Sequence, residues 1–198
     1  MGYRIDPLTA DCYPGTAILI NKLDIRDDTE LAEAEAEIVA ARIAEWDQFP
    51  RVNTFDFNHY KAIHAHLFSD LYDWAGQIRI VDLSKKGTRF CPAQEIETRA
   101  ELIFARLRQL DFLRGMEHGN FVEELTDLYC STNELHPFRE GNGRTQRLFL
   151  SQLVRNAGYT LNFSEVDGDL LMFATIQAAQ GVTDLLKRLL SEAVRLQE

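Results

Sequence analysis

The sequence predicts an all-α domain that carries one β-hairpin. Apolar residues recur at helical spacing over most of the 198 residues. Only the region around Ser84-Lys85-Lys86-Gly87 sets two short β-prone runs about a polar turn. No repeat, low-complexity run or linker divides the chain, and its length fits a single domain, 1–198, with a substantial core.

Residues 1–13 read as an irregular lead-in punctuated by Pro14-Gly15. Thr16 to Leu23 (TAILINKL) is expected to form a short apolar helix. Asp27-Asp28-Thr29 then supplies N-cap candidates for a long helix reaching Trp46. Leu31, Ala34, Ile38, Ala41 and Ile43 give it an apolar side, and Glu30, Glu33, Glu35 and Glu37 read as a solvated face. Phe55 to Leu71 predicts another helix, with Phe57, Tyr60, Ile63, Leu67 and Phe68 inward. His64 and His66 are two apart, so they fall on different faces and cannot chelate one ion; structural roles are expected.

The hairpin is expected over about 78–91, with arms Ile78 to Leu83 and Thr88 to Cys91. Two strands alone are marginal, so they must lean on the helices. Pro92 closes this element, and Gln94 to Leu113 reads as a helix with Ile96, Ala100, Leu102, Ile103, Leu107 and Leu110 inward. A further helix spans Phe121 to Glu134. Another runs to about Asn156 and is apolar nearly all round at Leu148, Phe149, Leu150, Leu153 and Val154, which suits a buried helix. Asn162 to Gly168 reads as a connection, followed by closing helices over Asp169 to Gln180 and Val182 to Gln197.

Composition excludes several classes. The net charge of −10 disfavours broad nucleic-acid binding through phosphate contacts. The apolar runs are far short of a membrane span, and the first residues lack a basic patch followed by an apolar region. Met1-Gly2 is followed by Asp6 where a myristoylation motif wants Ser or Thr. Cys12, Cys91 and Cys130 are scattered and odd in number, with neither zinc spacing nor a disulfide framework, so a reducing cytoplasm is expected.

Chemistry concentrates between the two central helices, in His136-Pro-Phe-Arg-Glu-Gly-Asn-Gly-Arg-Thr-Gln-Arg147. Gly141-Asn142-Gly143 tolerates the backbone angles that turn successive N–H groups toward one point, and the start of a helix adds the positive end of its dipole. Arg144 and Arg147, three apart, share a face and can fork onto phosphate oxygens. Glu140 is a hard oxygen ligand of the kind Mg²⁺ takes when phosphates supply the rest. His136 is a base for a hydroxyl proton near neutral pH, and Phe138 is expected to pin the loop by pointing into the core.

This segment resembles the signature of the Fic (filamentation induced by cAMP) family, H-x-F-x-[DE]-G-N-G-R-x-x-R. His136, Phe138, Glu140, Gly141, Asn142, Gly143, Arg144 and Arg147 fill every specified position. The run His64-x-x-Leu67-Phe68, with Trp74-Ala75-Gly76 and Arg79, is similar to the segment such proteins carry ahead of the active site. The resemblance implies a Fic-type helical bundle whose hairpin is a flap. Its edge residues, here Ile80, Val81, Asp82, Leu83, Lys85, Lys86 and Gly87, would dock an extended segment of a target protein by strand addition.

It further implies transfer of AMP from ATP to a target hydroxyl, with His136 as base and Glu140 on Mg²⁺. The Gly141–Gly143 amides and Asn142 would cradle phosphate, and Arg144 and Arg147 would neutralise the leaving pyrophosphate. The related Doc kinase type transfers the γ-phosphate, but it carries Lys at the place of Gly143 and lacks the second arginine. UMP or phosphocholine transfer, and a binding module without chemistry, stay open as alternatives. Small bacterial proteins of this layout resemble the toxin halves of toxin–antitoxin pairs, some of which modify DNA gyrase and topoisomerase IV. In the family an inhibitory helix, [ST]-x-x-x-E-[GN], sends its glutamate to the arginine matched by Arg147. Only Thr29 has a Glu four residues on, Glu33, and Ala34 follows it, so a separate antitoxin is expected to supply that glutamate.

Overall fold

The computed structural model describes residues 11–46, 48, 53–85 and 87–197. Seven α-helices and two small sheets are the main elements among these residues. They are α1 (Asp28–Trp46), α2 (Phe57–Phe68), β1 (Ser84–Lys85), β2 (Thr88–Arg89), α3 (Ile96–Gln109), α4 (His118–Leu135), α5 (Asn142–Asn156), β3 (Tyr159–Leu161), α6 (Gly168–Ala178), α7 (Asp184–Ala193) and β4 (Val194–Leu196). Most of the lead-in, residues 1–10, and the flap residue Lys86 lie outside the described residues.

The centre of the bundle is α5, where Phe149, Leu150, Leu153 and Val154 are fully buried. The Tyr60 ring of α2 meets Phe149 edge-on at 5.2 Å and lies parallel to Phe138 at 5.8 Å. Each such aromatic or aliphatic burial stabilises the fold by roughly 1.5–3 kcal/mol. Phe138 has no exposed surface and stacks on His64 at 3.8 Å, so the loop it belongs to is pinned as expected.

Three of the helices start at an aspartate cap. Asp27 Oδ1 accepts from the amides of Thr29 and Glu30, Asp56 caps α2 through His59, and Asp167 caps α6 through Leu170. The buried stripe of α1 differs from expectation. It runs through Leu31, Glu35, Val39 and Trp46, while Ala41 and Ile43 face solvent. Glu35 is therefore not on the solvated face; it is a buried carboxylate.

Four local expectations are corrected. Thr16 to Leu23 is not a helix: Gly15 turns the chain at φ +77°, and Leu19 returns to bridge Cys12. The Thr16 hydroxyl bonds Tyr13 O and accepts from Ile18 N, a local alternative to helical bonding. The helix begun at Ile96 ends at Gln109, because Asp111, Phe112 and Leu113 take left-handed backbone angles; Leu102, expected inward, is 68% exposed.

The hairpin is much shorter than 78–91, pairing only Ser84 with Arg89 and Lys85 with Thr88. Its outer arms bond elsewhere: Arg79 N to Pro137 O, and Cys91 N to Glu134 O. Finally, the chain beyond Ala193 leaves α7 as β4 and pairs antiparallel with β3, so a second sheet exists where only helix and connection were expected.

Candidate active site

The loop from His136 to Gly141 is shaped by its ends. His136 closes α4 in the left-handed region at φ 42°, and Pro137 bars helical continuation. Asn142 brackets Phe138, accepting from its N–H at 2.8 Å and donating to its C=O at 2.7 Å. That side chain, expected to cradle phosphate, is therefore spent on closing the loop. Gly141 has φ +78°, and a Cβ there would lie 2.3 Å from the Phe68 ring, so no other residue fits. Its amide donates to Glu140 Oε1 at 2.9 Å. The amides of Asn142, Gly143 and Arg144 open α5, where no carbonyl of the helix can reach them.

Two buried histidines stand on either side of this loop. His64 Nδ1 accepts from Gly76 N–H at 2.8 Å, so its Nε2 carries the proton and donates to Glu140 O at 3.0 Å. His136 has the opposite tautomer: Nδ1 donates to Asn133 O at 3.1 Å, which puts the lone pair on Nε2. Its ring stacks on Phe90 with centroids 3.7 Å apart. Burial, with the charges of Arg79 and Lys85 nearby, lowers its pKa to about 3, so the imidazole is neutral at physiological pH.

Arg79 ties this histidine to the hairpin. It is buried, and its guanidinium donates to His136 O at 2.7 Å, Val81 O at 2.6 Å and Cys91 O at 2.5 Å. Both arms of the hairpin are thus fixed to the end of α4.

A cavity of about 570 Å³ opens in front of the loop, within the size range of small-molecule sites. Lys85, Thr88 and Phe90 wall it from the hairpin side, Asn133 and His136 from α4, and Gly143, Gln146 and Arg147 from α5. Phe163, Val166, Leu171, Met172, Thr175 and Ile176 make the opposite, largely apolar wall. Thr175 donates to Leu171 O, so the Tyr129 hydroxyl donates to Thr175 Oγ1 at 2.9 Å, and both are satisfied. Arg147 has no ion-pair partner among the described residues, and burial lowers its pKa from the usual arginine value. A Cβ on Gly143 would stand 3.3 Å from its Nη1.

Of the expected site residues, His136, Gly143, Arg147 and Lys85 share this cavity. Arg144 does not join its walls. Its guanidinium lies over Phe68, 2.5 Å from Glu35 Oε1 and 3.5 Å from Glu140 Oε1. Among the flap residues, Ile80 is 92% exposed, Gly87 is exposed and Val81 half-buried. Leu83 is buried, and the Asp82 carboxylate accepts from Ala93 N.

No three carboxylate, histidine or cysteine groups gather as a metal cage among the described residues. Glu140 alone, with one oxygen on Gly141 N and the other without a hydrogen bond among the described residues, suits a hard cation completed by phosphate and water oxygens.

Sequence reasoning passed over Arg79, Phe90, Gln146 and Glu35, and the whole apolar wall. Arg79 has no chemical signal of its own in the sequence, and the wall residues carry only the helical spacing of any closing helix.

Comparison with known proteins bears on this geometry. Residues 54–154 match the Fic/DOC family. The chain is 37% identical over 182 residues to a probable protein adenylyltransferase Fic of Escherichia coli K12, covering 92% of this chain and 90% of the other. It is 41% identical over 177 residues to the probable protein adenylyltransferase y4lH of Sinorhizobium fredii, covering 89% of each. A crystal structure of the Bartonella tribocorum effector BepC with bound AMPPNP superposes with a TM-score of 0.90 at 28% identity, over 95% of this chain and 97% of that one.

Proposed function

The chain belongs to the Fic/DOC family, and from that premise we propose that it is a protein adenylyltransferase, moving AMP from ATP to a hydroxyl side chain of a target protein. One observation carries the reading: a neutral, tautomerically fixed His136 and the Arg147 guanidinium face one cavity that ends in an apolar wall. The binding of AMPPNP by the BepC structure, which has the same fold, supports a nucleotide in that cavity.

The chemistry follows from the placement. The base of ATP lies against Phe163, Leu171 and Ile176, and the phosphates lie at the start of α5. There the amides of Asn142 and Gly143 and the helix dipole hold oxygens, and Arg147 takes the outer phosphates. His136 Nε2 accepts the proton of the target hydroxyl as that oxygen bonds to the α-phosphorus. The bond from the α-phosphorus to the β-phosphate oxygen breaks, and pyrophosphate departs. Glu140 would hold Mg²⁺, which neutralises phosphate charge when bound. Arg144 stands behind the loop, paired with Glu35.

ATP labelled at the α- or the γ-phosphate, incubated with the protein and a bacterial lysate, tests the reading. Label on protein from the α position alone is expected. Label from the γ position alone would establish the kinase alternative, against which Gly143 speaks, since a side chain there presses on Arg147. Labelled UTP and CDP-choline in parallel address the other groups.

The toxin reading belongs to the same proposal. Glu33 is exposed on α1 and followed by Ala34, which supports an inhibitory glutamate delivered by a separate antitoxin, in the cytoplasm. Purified DNA gyrase and topoisomerase IV are the first targets to assay. No described helix is long and apolar enough to cross a membrane.

A further inference from the structure

The first helix contributes a carboxylate that this mechanism leaves unused. Glu35 is buried, and it stands outside residues 54–154 that match the family. Its Oε2 accepts from the Tyr72 hydroxyl at 2.6 Å, and Tyr72 is held by stacking on Trp74 at 4.4 Å. Its Oε1 is 2.5 Å from Arg144 Nη2. The same nitrogen is 3.5 Å from Glu140 Oε1. One guanidinium therefore stands between two carboxylates, the nearer one clamped and the farther one beside the anion site.

We infer that Glu35 is a positioning residue: it takes up the charge of Arg144 and so keeps the Glu140 carboxylate available to a divalent cation. The inference rests on the reading above, in which Glu140 holds the metal. Two carboxylates against one guanidinium leave a single negative charge on the cluster, and with Glu35 clamped that charge resides at Glu140. Without Glu35 the sum is zero. Arg144 loses its nearer anion, and its fork then closes on Glu140, which is already within 3.5 Å. A carboxylate so paired is a poor cation ligand. Partners around a metal ligand commonly change metal affinity by about 10–100-fold.

The test reads metal binding rather than turnover. Mn²⁺ is titrated by EPR in the presence of AMPPNP, and AMPPNP affinity is measured separately in EDTA. Glu35→Gln is expected to weaken Mn²⁺ about tenfold or more while AMPPNP affinity in EDTA stays within about twofold. Adding Arg144→Met to Glu35→Gln is expected to restore Mn²⁺ to the level of Arg144→Met alone, because the competing cation is gone. Mere loss of packing would not be rescued this way.

Tyr72→Phe keeps the charge but releases the clamp, and is expected to weaken Mn²⁺ about threefold. Unchanged Mn²⁺ binding in folded Glu35→Gln overturns the inference, as does a double variant as weak as the single. If Glu35→Gln does not fold, unchanged binding in Tyr72→Phe overturns it instead. AMPPNP binding with no Mn²⁺ uptake by the wild type removes Glu140 from its metal role, and the inference falls with it. Failure to bind AMPPNP at all refutes the nucleotide reading itself.

Discussion

At the scale of single residues, His136 and Arg79 form one unit. Replacing His136 by Ala removes the proton acceptor and leaves the phosphate contacts of α5 and Arg147 in place. Transfer is expected to fall by about 10²–10⁴-fold while ATP affinity holds. Labelling and nucleotide binding are measured on the same sample, and transfer within about tenfold of the wild type would take the base role from His136. Arg79 makes a different prediction, about stability. Arg79→Met leaves two buried carbonyls, on His136 and Cys91, and a half-buried one on Val81 without this donor. A loss of about 3 kcal/mol is expected in urea unfolding. Lys has one compact head in place of a fork and is expected to recover less than half of it. A near-neutral Arg79→Met would mean that the hairpin is held by its own turn.

At the scale of elements, the flap shows where sequence reading reached and where it stopped. The polar turn and its Gly87 were legible, because glycine at φ +84° leaves few alternatives. The arms were not. Ile78 to Leu83 alternates like a strand, yet Arg79 binds the catalytic loop, and a tertiary partner outcompetes strand pairing. The same limit hid β3 and β4, since three-residue strands lie below the length at which period two can be told from chance.

Ile80, at a bend ahead of β1, is nonetheless 92% exposed, which leaves it open to a docking segment. Ile80→Pro removes one edge donor. Target labelling is expected to drop about tenfold, equivalent to the loss of about 1.4 kcal/mol, with AMPPNP affinity unchanged. Normal labelling by a folded Ile80→Pro variant would show that targets dock elsewhere. The signature loop was legible residue by residue, because each part has a chemical reason at its own position. Whether Arg144 faced the cavity or α1 was not, since that depends on a carboxylate more than a hundred residues away in sequence.

At the scale of the whole molecule, the buried His64 and His136 make stability depend on pH. Burial holds both pKa values down, to about 3 for His64 and about 3 for His136, against about 6.5 in an unfolded chain. Between those limits the unfolded chain binds protons that the folded protein refuses. Stability therefore falls as pH drops below about 6.5 and levels off near 3, with a loss on the order of 2 kcal/mol per histidine by pH 5. Urea unfolding at pH 7, 6 and 5 measures the slope, and His64→Gln is expected to make it shallower by about one proton. An unchanged slope in that variant would mean that His64 is not kept neutral.

The opposed tautomers of these histidines also furnish two natural spectroscopic reporters, one behind the signature loop and one in front of it. Long-range ¹H–¹⁵N correlation separates an Nε2–H ring from an Nδ1–H ring without any mutation. His64, locked between Gly76 and the Glu140 carbonyl, should stay silent when a nucleotide enters and shift only if the loop itself moves. His136, on the cavity wall, should respond to occupancy directly. Read together, the two resonances distinguish a ligand that fills the cavity of a rigid loop from one that remodels the loop.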